Sequence, residues 1–287
     1  MFEENSPYSI WDAVDLSEEP FGDFLLIPVL QSEMQAAYGA PACECADTLR
    51  QFEGALRKQT DALHPRFRSR ARELFQSVPA GLEAAHYHLD RVETIEEDIL
   101  TMFAREIDLI GGEGIGLGVS LMVPAKLTFE YQAYLLALRR VLDYFANGAT
   151  AFFSQEGHSF RKLNDTIVNR QPRAASTQLT AVLESYSDLA DKILGKRGDR
   201  VSPRDRIAHR EFLHAGNINI HRGASGYEVR IIGGVEELFP WSVAPSTILQ
   251  RGDVAYALSS VGPVLVERLT HVEQLLMRGY VALTRDH

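Results

Sequence analysis

Apolar residues recur at helical spacing along most of this chain. In residues 80–110 they stand three, four or seven positions apart, which is typical of a helix with one buried face. The same kind of spacing predicts helices over 44–63, 66–77, 126–147, 174–194 and 246–283. We expect His64-Pro65 to separate the first two of these helices, and Gly262-Pro263 to kink or split the last. The apolar stripe of residues 80–110 consists of Leu82, Leu89, Val92, Ile95, Ile99 and Phe103.

Three segments interrupt the helical pattern. Prolines at positions 7, 20, 28 and 41 discourage long helices in residues 1–42, so we expect an irregular arm there. The glycine-rich stretch 111–124 fits neither the dinucleotide-binding nor the P-loop pattern, and we interpret it as a flexible connector. Residues 217–222 and 227–234 flank a Gly-Ala-Ser-Gly turn and predict a β-hairpin.

Together these elements predict a mainly α-helical fold with one β-hairpin insertion. A parallel sheet is not expected, because strands and helices do not alternate along the chain. We divide the chain into an acidic irregular arm (1–42), an N-terminal helical region (43–120) and a helical bundle (121–287). The bundle carries the hairpin at about 217–234.

Sequence signals for a membrane or an oxidising compartment are missing. The longest uncharged apolar run, residues 115–125, is shorter than the ~20 residues that cross a bilayer. The N-terminus lacks the basic start and apolar core of a signal peptide. Cys43 and Cys45 form a C-x-C pair, but nothing nearby completes the ligand set of a structural zinc, so we interpret them as reduced packing residues. We expect a cytoplasmic protein without a metal or other cofactor.

Charge is unevenly distributed along the chain. The formal net charge is −10, and the first fifty residues account for −9 of it with ten acids and one base. The rest of the chain is nearly neutral, so a local basic surface on it can still bind an anion. Residues 194–210 predict such a surface, with six bases against two acids, and a second basic loop is expected at Arg161, Lys162, Arg170 and Arg173. The six bases are Lys196, Arg197, Arg200, Arg204, Arg206 and Arg210.

The basic segment contains the start signals of a short helix. Ser202 is a preferred N-cap residue, and Pro203 suits the first helical position. Asp205 stands three residues after the cap, as in a capping box that has Asp in place of the commoner Glu. Gly216 provides a C-terminal stop, so we predict a helix over about 203–215.

Arg204 and His209 are the candidate chemical groups of this helix, one for binding phosphate and one for proton transfer. A guanidinium can hold a phosphate, and an imidazole can move a proton near neutral pH. The two residues stand about 140° apart on an ideal helix, so they converge only at a distorted helix start or across a dimer axis. Asp205, four residues before His209, can contact the imidazole. A structural interpretation stays open, with Arg204 and Asp205 in a solvated first turn and His209 at a helix interface.

The run Arg204-Asp205-x-x-x-His209 resembles the R-x(4–6)-H motif of the HEPN (higher eukaryotes and prokaryotes nucleotide-binding) superfamily. A polar residue usually follows the arginine in that motif, and here it is Asp205. The resemblance covers roughly residues 125–285, and it implies a four-helix bundle that dimerises around the motif. For active members it also implies metal-independent cleavage of RNA.

The resemblance also implies roles for individual residues. His209 would be the acid and base for the ribose 2′-hydroxyl, Arg204 would stabilise charge on the phosphate, and Asp205 would orient His209. The neighbouring bases Lys196, Arg197, Arg200, Arg206 and Arg210 would bind the substrate. We therefore expect an endoribonuclease, as a toxin or defence effector, that forms a homodimer. Two alternatives are a non-catalytic module that binds RNA, nucleotide or protein, and a scaffold that recruits a protein partner through the acidic arm.

Overall fold

Six helices and five strands make up the described part of the chain. The computed structural model describes residues 43–110, 118–122, 125–157, 159–168, 174–187, 217–222, 226–232, 247–251, 254–260 and 262–284. The helices are α1 (Glu44–Thr60), α2 (Pro65–Ile110), α3 (Ala125–Phe152), α4 (Phe160–Val168), α5 (Ala174–Ser185) and α6 (Gly262–Thr284). The strands are β1 (Gly118–Met122), β2 (Asn217–Arg222), β3 (Gly226–Ile232), β4 (Thr247–Arg251) and β5 (Val254–Ser259). The predicted arm (1–42) and the predicted helix at 203–215 lie outside these residues.

The prediction of a mainly α-helical protein is confirmed. The long helices α2 and α3 pack against each other, and α1 and α6 both contact α2. The apolar stripe of residues 80–110 is buried, with Leu82 fully inaccessible. Tyr280 of α6 places its ring against Phe75 of α2 and Phe145 of α3, with ring centroids 5.4 and 5.9 Å away. These helices therefore share one apolar core.

A single helix replaces two that the sequence predicted. Residues 66–77 and 80–110 both belong to α2, which continues through Pro79. Proline has no amide hydrogen, so the carbonyl of Phe75, four residues earlier, loses its helical partner. The Tyr280 hydroxyl donates a hydrogen bond to that oxygen at 3.2 Å. A tertiary contact thus replaces the missing helical bond.

The strands form one five-stranded sheet in the order β1-β2-β3-β5-β4. The predicted hairpin is confirmed as β2 and β3, which pair antiparallel. The expectation of a single hairpin without parallel pairing was wrong, because β3 and β5 are parallel neighbours. Gly226 permits their close approach: its φ is +157°, and an added Cβ would lie 2.1 Å from the carbonyl oxygen of Ala255.

Three strands lie where the sequence predicted other structure. β1 lies within the predicted glycine-rich connector, and β4 and β5 occupy the start of the predicted helix 246–283. In β5, larger residues alternate with alanine and serine, which is the period of a strand. Arg251 pairs directly with Val254, and the sequence between them is Gly-Asp, a pair of residues that favours a hairpin turn. Helix α6 then begins at Gly262, where we expected only a kink or split.

The predicted second basic loop lies only partly within the described residues. Arg161 and Lys162, which we assigned to a basic loop, lie in the first turn of α4, while Arg170 and Arg173 lie outside the described residues. Among the described residues, no helix combines the length and the apolar character that a bilayer span requires.

Candidate functional site

The residues to which the sequence assigned chemistry lie outside the described part of the chain. They are Arg204, Asp205 and His209, with Lys196, Arg197, Arg200, Arg206 and Arg210 as the neighbouring bases. Of the described helices and strands, α5 precedes this segment and ends at Ser185, and β2 follows it from Asn217. The roles given to the motif therefore stay predictions.

Three side chains of metal-ligand type converge elsewhere in the molecule. Cys43 immediately precedes α1, His86 lies in α2 and Glu273 lies in α6. A thiol sulfur, an imidazole nitrogen and a carboxylate oxygen from these residues all lie within 4.8 Å of one another. His86 Nε2 is 2.7 Å from Glu273 Oε1, and Cys43 Sγ is 3.9 Å from the same oxygen. We call this group the thiol–imidazole–carboxylate cluster.

Local structure fixes the position of each member of the cluster. Cys43 is the N-cap of α1, and its Sγ accepts a hydrogen bond from the backbone N–H three residues further along at 3.3 Å. His86 stands four residues after Leu82 and three before Leu89, on the buried stripe of α2. Glu273 has the same relation to two leucines of α6. Cys43 is 4% exposed, while the His86 and Glu273 side chains are 25% and 22% exposed.

The cluster favours the charged form of its histidine. Hydrogen bonding to Cys43, and next to Glu273, raises the pKa of His86 to about 10, although burial opposes the shift. Cys45 lies beside the cluster, with its Sγ 4.0 Å from the backbone oxygen of Glu273. Burial, and after it Glu273, raises the pKa of Cys45 to about 12, so this thiol is protonated at neutral pH. Cys43 therefore belongs to the cluster and caps α1, whereas Cys45 is a protonated thiol beside the cluster.

These contacts change the interpretation of Cys43, and helix geometry explains the contacts of two histidines. Cys43 does have neighbouring ligand groups, because helix packing brings His86 and Glu273 to it from distant parts of the chain. His86 and His88 contact different helices, as their spacing on opposite faces predicts, since His88 Nδ1 lies 2.8 Å from Glu130 Oε2 on α3. A polar residue in an apolar stripe is the signal that could have identified His86 and Glu273.

A second polar site is buried where α2, α3 and the start of α6 meet. Glu96 is 3% exposed, and the Tyr131 hydroxyl donates a hydrogen bond to its Oε1 at 2.5 Å. The Ser260 side chain also hydrogen-bonds to this carboxyl group. Burial outweighs both hydrogen bonds and raises the pKa of Glu96 to about 7. The carboxyl group ties the helix pair to Ser260, which lies two residues before α6 begins.

A surface cleft of about 520 Å³ lies between α1 and α2. Arginines and glutamates both line it, which gives it mixed charge. Two of its arginines, Arg50 and Arg72, already form ion pairs with carboxylates. Because these guanidinium groups are balanced, the cleft does not present a strongly positive surface to a polyanion. We therefore assign no nucleic-acid contact to it.

Comparison with models of protein families, with curated proteins and with solved structures gives no match. The family resemblance of the 204–209 motif accordingly rests on the residues of that motif.

Proposed function

We propose that this protein is a metal-independent endoribonuclease of the HEPN type, with Arg204 and His209 as its catalytic pair. The observation that carries the proposal is the Arg-Asp-x-x-x-His run in residues 204–209, inside a segment (194–210) that has six bases against two acids in a chain of net charge −10. We propose that the protein acts as a toxin or defence effector.

The chemistry follows from the two side chains. RNA carries a 2′-hydroxyl beside each phosphate, and DNA does not. His209 takes the proton from this hydroxyl, whose oxygen attacks the adjacent phosphorus while the bond to the 5′-oxygen of the next nucleotide breaks. Arg204 stabilises the charge that develops on the phosphate oxygens. Asp205 orients His209, and the products end in a 2′,3′-cyclic phosphate and a 5′-hydroxyl.

The assembly follows from the spacing of the pair. Arg204 and His209 stand about 140° apart on an ideal helix, too far around the axis to meet on one phosphate. Two copies of the segment related by a two-fold axis can bring Arg204 of one chain near His209 of the other. We therefore propose a homodimer with residues 200–214 at or near that axis.

The described part of the chain supports the helical context of the proposal and also departs from the family pattern. Helices α3 to α6 fall within residues 125–285, the part that resembles the superfamily. Strands β2 to β5 fall in the same part, and a four-helix bundle has no place for them. We propose that strands β2 to β5 are an addition that follows the motif in sequence, and that β1, which precedes the motif, completes their sheet.

Cleavage of labelled RNA by wild type and variants tests the proposal. His209→Ala and Arg204→Ala should each reduce the rate by roughly 10²–10⁴-fold while circular dichroism shows an unchanged fold. Arg204→Lys should also fail, because an ammonium group cannot make the planar two-pronged contact of a guanidinium. DNA should resist, and EDTA should leave the rate unchanged at a temperature where the metal-free protein stays folded.

Arg170→Ala is a matched control, because it removes a guanidinium from another basic segment of the sequence, outside residues 194–210. It should leave the rate close to that of wild type, because the proposal gives Arg170 no part in the reaction. Full activity in His209→Ala would overturn the catalytic proposal. Binding of RNA without cleavage, weakened by Arg204→Ala, would instead establish the non-catalytic binding module.

A further inference from the structure

The thiol–imidazole–carboxylate cluster brings three different metal-ligand groups together from three separate elements. A histidine–carboxylate ion pair alone would satisfy His86 and Glu273, and it would not require a sulfur atom beside the shared oxygen. Cys43 Sγ nevertheless lies 3.9 Å from the Glu273 Oε1 that also contacts His86. The three ligand atoms thus surround one point in space rather than forming a chain of pairs.

We propose that Cys43, His86 and Glu273 form a zinc site, in which a water molecule completes a tetrahedral set. The site is separate from the Arg204–His209 pair and does not depend on the function proposed for it. An ion bound there would tie the beginning of α1 to the middle of α2 and the middle of α6.

The observed distances suit this ion. Zinc binds nitrogen and oxygen at about 2.0–2.2 Å and sulfur at about 2.3 Å, which places tetrahedral ligand atoms roughly 3.3–3.7 Å apart. The 2.7 Å contact between His86 and Glu273 lies below that range, and the 3.9 Å contact between Cys43 and Glu273 lies above it. Changes of up to about 1 Å in the separations of these side-chain atoms therefore convert the cluster into a tetrahedral site.

The ligand types select the class of metal. A thiolate and an imidazole are ligands that zinc binds well, while magnesium and calcium prefer sites made of oxygen alone. Zinc binds histidine only as the neutral imidazole, so the ion displaces the proton that the cluster otherwise favours on His86. Cys45 is a different case, since its sulfur is not among the converging ligand atoms. We therefore assign the fourth position to water.

Metal content and cobalt absorption test the site. Tag-free full-length protein is stripped with EDTA, loaded with Zn²⁺, dialysed and analysed for metal. Wild type should retain about one zinc per chain, as a single three-ligand site requires. Protein loaded with Co²⁺ should show a thiolate-to-cobalt charge-transfer band in the near ultraviolet, which only a cysteine ligand can give.

Cys43→Ser and Cys45→Ser are matched variants. Serine is a good N-cap, so Cys43→Ser keeps the start of α1 while it removes the thiolate. Cys43→Ser should lose the cobalt band and weaken zinc binding by about 100-fold or more. The isosteric Glu273→Gln should weaken zinc binding by a similar factor. Cys45→Ser should keep both the band and the affinity. Circular dichroism of the metal-free proteins shows that each variant is folded.

Several results would overturn the proposal. Wild-type protein that retains no zinc after dialysis and gives no cobalt band would remove the site. A band that persists in Cys43→Ser, or one that disappears in Cys45→Ser, would show that the ligands are not those assigned here.

Discussion

Polar residues within apolar stripes define the interior chemistry of this protein at the scale of single residues. His86, Glu96 and Glu273 each stand four positions after an apolar residue and three before the next. A helical side chain in that position faces the core, where an unpaired polar group costs free energy. Each of the three has found a polar partner: His86 and Glu273 contact each other, and Glu96 contacts Tyr131.

Glu96 makes the stability of the protein depend on pH. Its pKa is about 7 in the folded protein against 4.5 for an ordinary glutamate, so the folded state favours the protonated carboxyl group. That favourable contribution is fully present below pH 4.5 and is lost as the pH rises through 7. Glu96→Gln should mimic the protonated form at every pH. The free energy of unfolding of Glu96→Gln, relative to wild type, should therefore increase with pH by up to about 3 kcal/mol.

Urea denaturation of both proteins at several pH values measures this difference. Other titrating groups are the same in the two proteins, so their contributions cancel when the two free energies are subtracted. A difference that stays constant across the range would show that Glu96 titrates normally in the folded protein.

At the scale of elements, α2 depends on another helix for its continuity. Pro79 cannot bond to the Phe75 carbonyl, and the Tyr280 hydroxyl of α6 bonds to it instead. Tyr280→Phe should therefore cost about 1–3 kcal/mol of stability, the usual cost of leaving a buried acceptor unsatisfied. Pro79→Ala restores a backbone N–H to that carbonyl, so Tyr280→Phe should cost much less in the Pro79→Ala background.

A double-mutant cycle measures this coupling directly. Wild type, the two single variants and the double variant are unfolded with urea, and the four free energies are compared. Equal costs of Tyr280→Phe in the two backgrounds would mean that the hydroxyl does not substitute for the missing helical bond.

The strands show how tertiary pairing decides between two local patterns. Residues 246–259 contain enough apolar positions to fit a helical stripe, yet they form β4 and β5. Two local signals favour the strands: the alternation of large and small residues in β5, and the Gly-Asp dipeptide between the two strands. The pairing of β5 with β3 adds the decisive backbone hydrogen bonds, because it gives the second edge of β5 a partner.

At the scale of the whole molecule, the proposed function places the catalytic pair across two chains. If Arg204 of one chain meets His209 of the other, each dimer contains two composite sites. A mixed dimer of Arg204→Ala and His209→Ala chains then has one site without either residue and one intact site. Mixing the two inactive variants should restore about one quarter of the wild-type rate, since about half of the dimers are mixed and each has one working site.

RNA cleavage after the two variants are mixed and allowed to exchange chains measures this recovery. Sedimentation of wild type at micromolar concentration should give about twice the 32.1 kDa mass of the chain. A monomer in sedimentation, or no recovery on mixing despite confirmed exchange, would contradict the composite site.

The sequence by itself determined the helical character of the protein, the break at His64-Pro65 and the β2–β3 hairpin. All three depend on interactions between residues close in the chain: the 3.6-residue period, the missing amide of proline and a short turn. The Arg204–His209 proposal also comes from the sequence, because it depends on residue types at a short spacing.

The tertiary structure decided what depends on residues far apart in the chain. It joined two predicted helices through Pro79, because the hydroxyl that replaces the lost bond belongs to Tyr280 in the last helix. It made a sheet from β1 to β5, because a strand is stabilised by neighbours that its own residues do not specify. It brought Cys43 to His86 and Glu273, because the periodicity of a helix shows which side chains face inward but not which residues of another helix they meet.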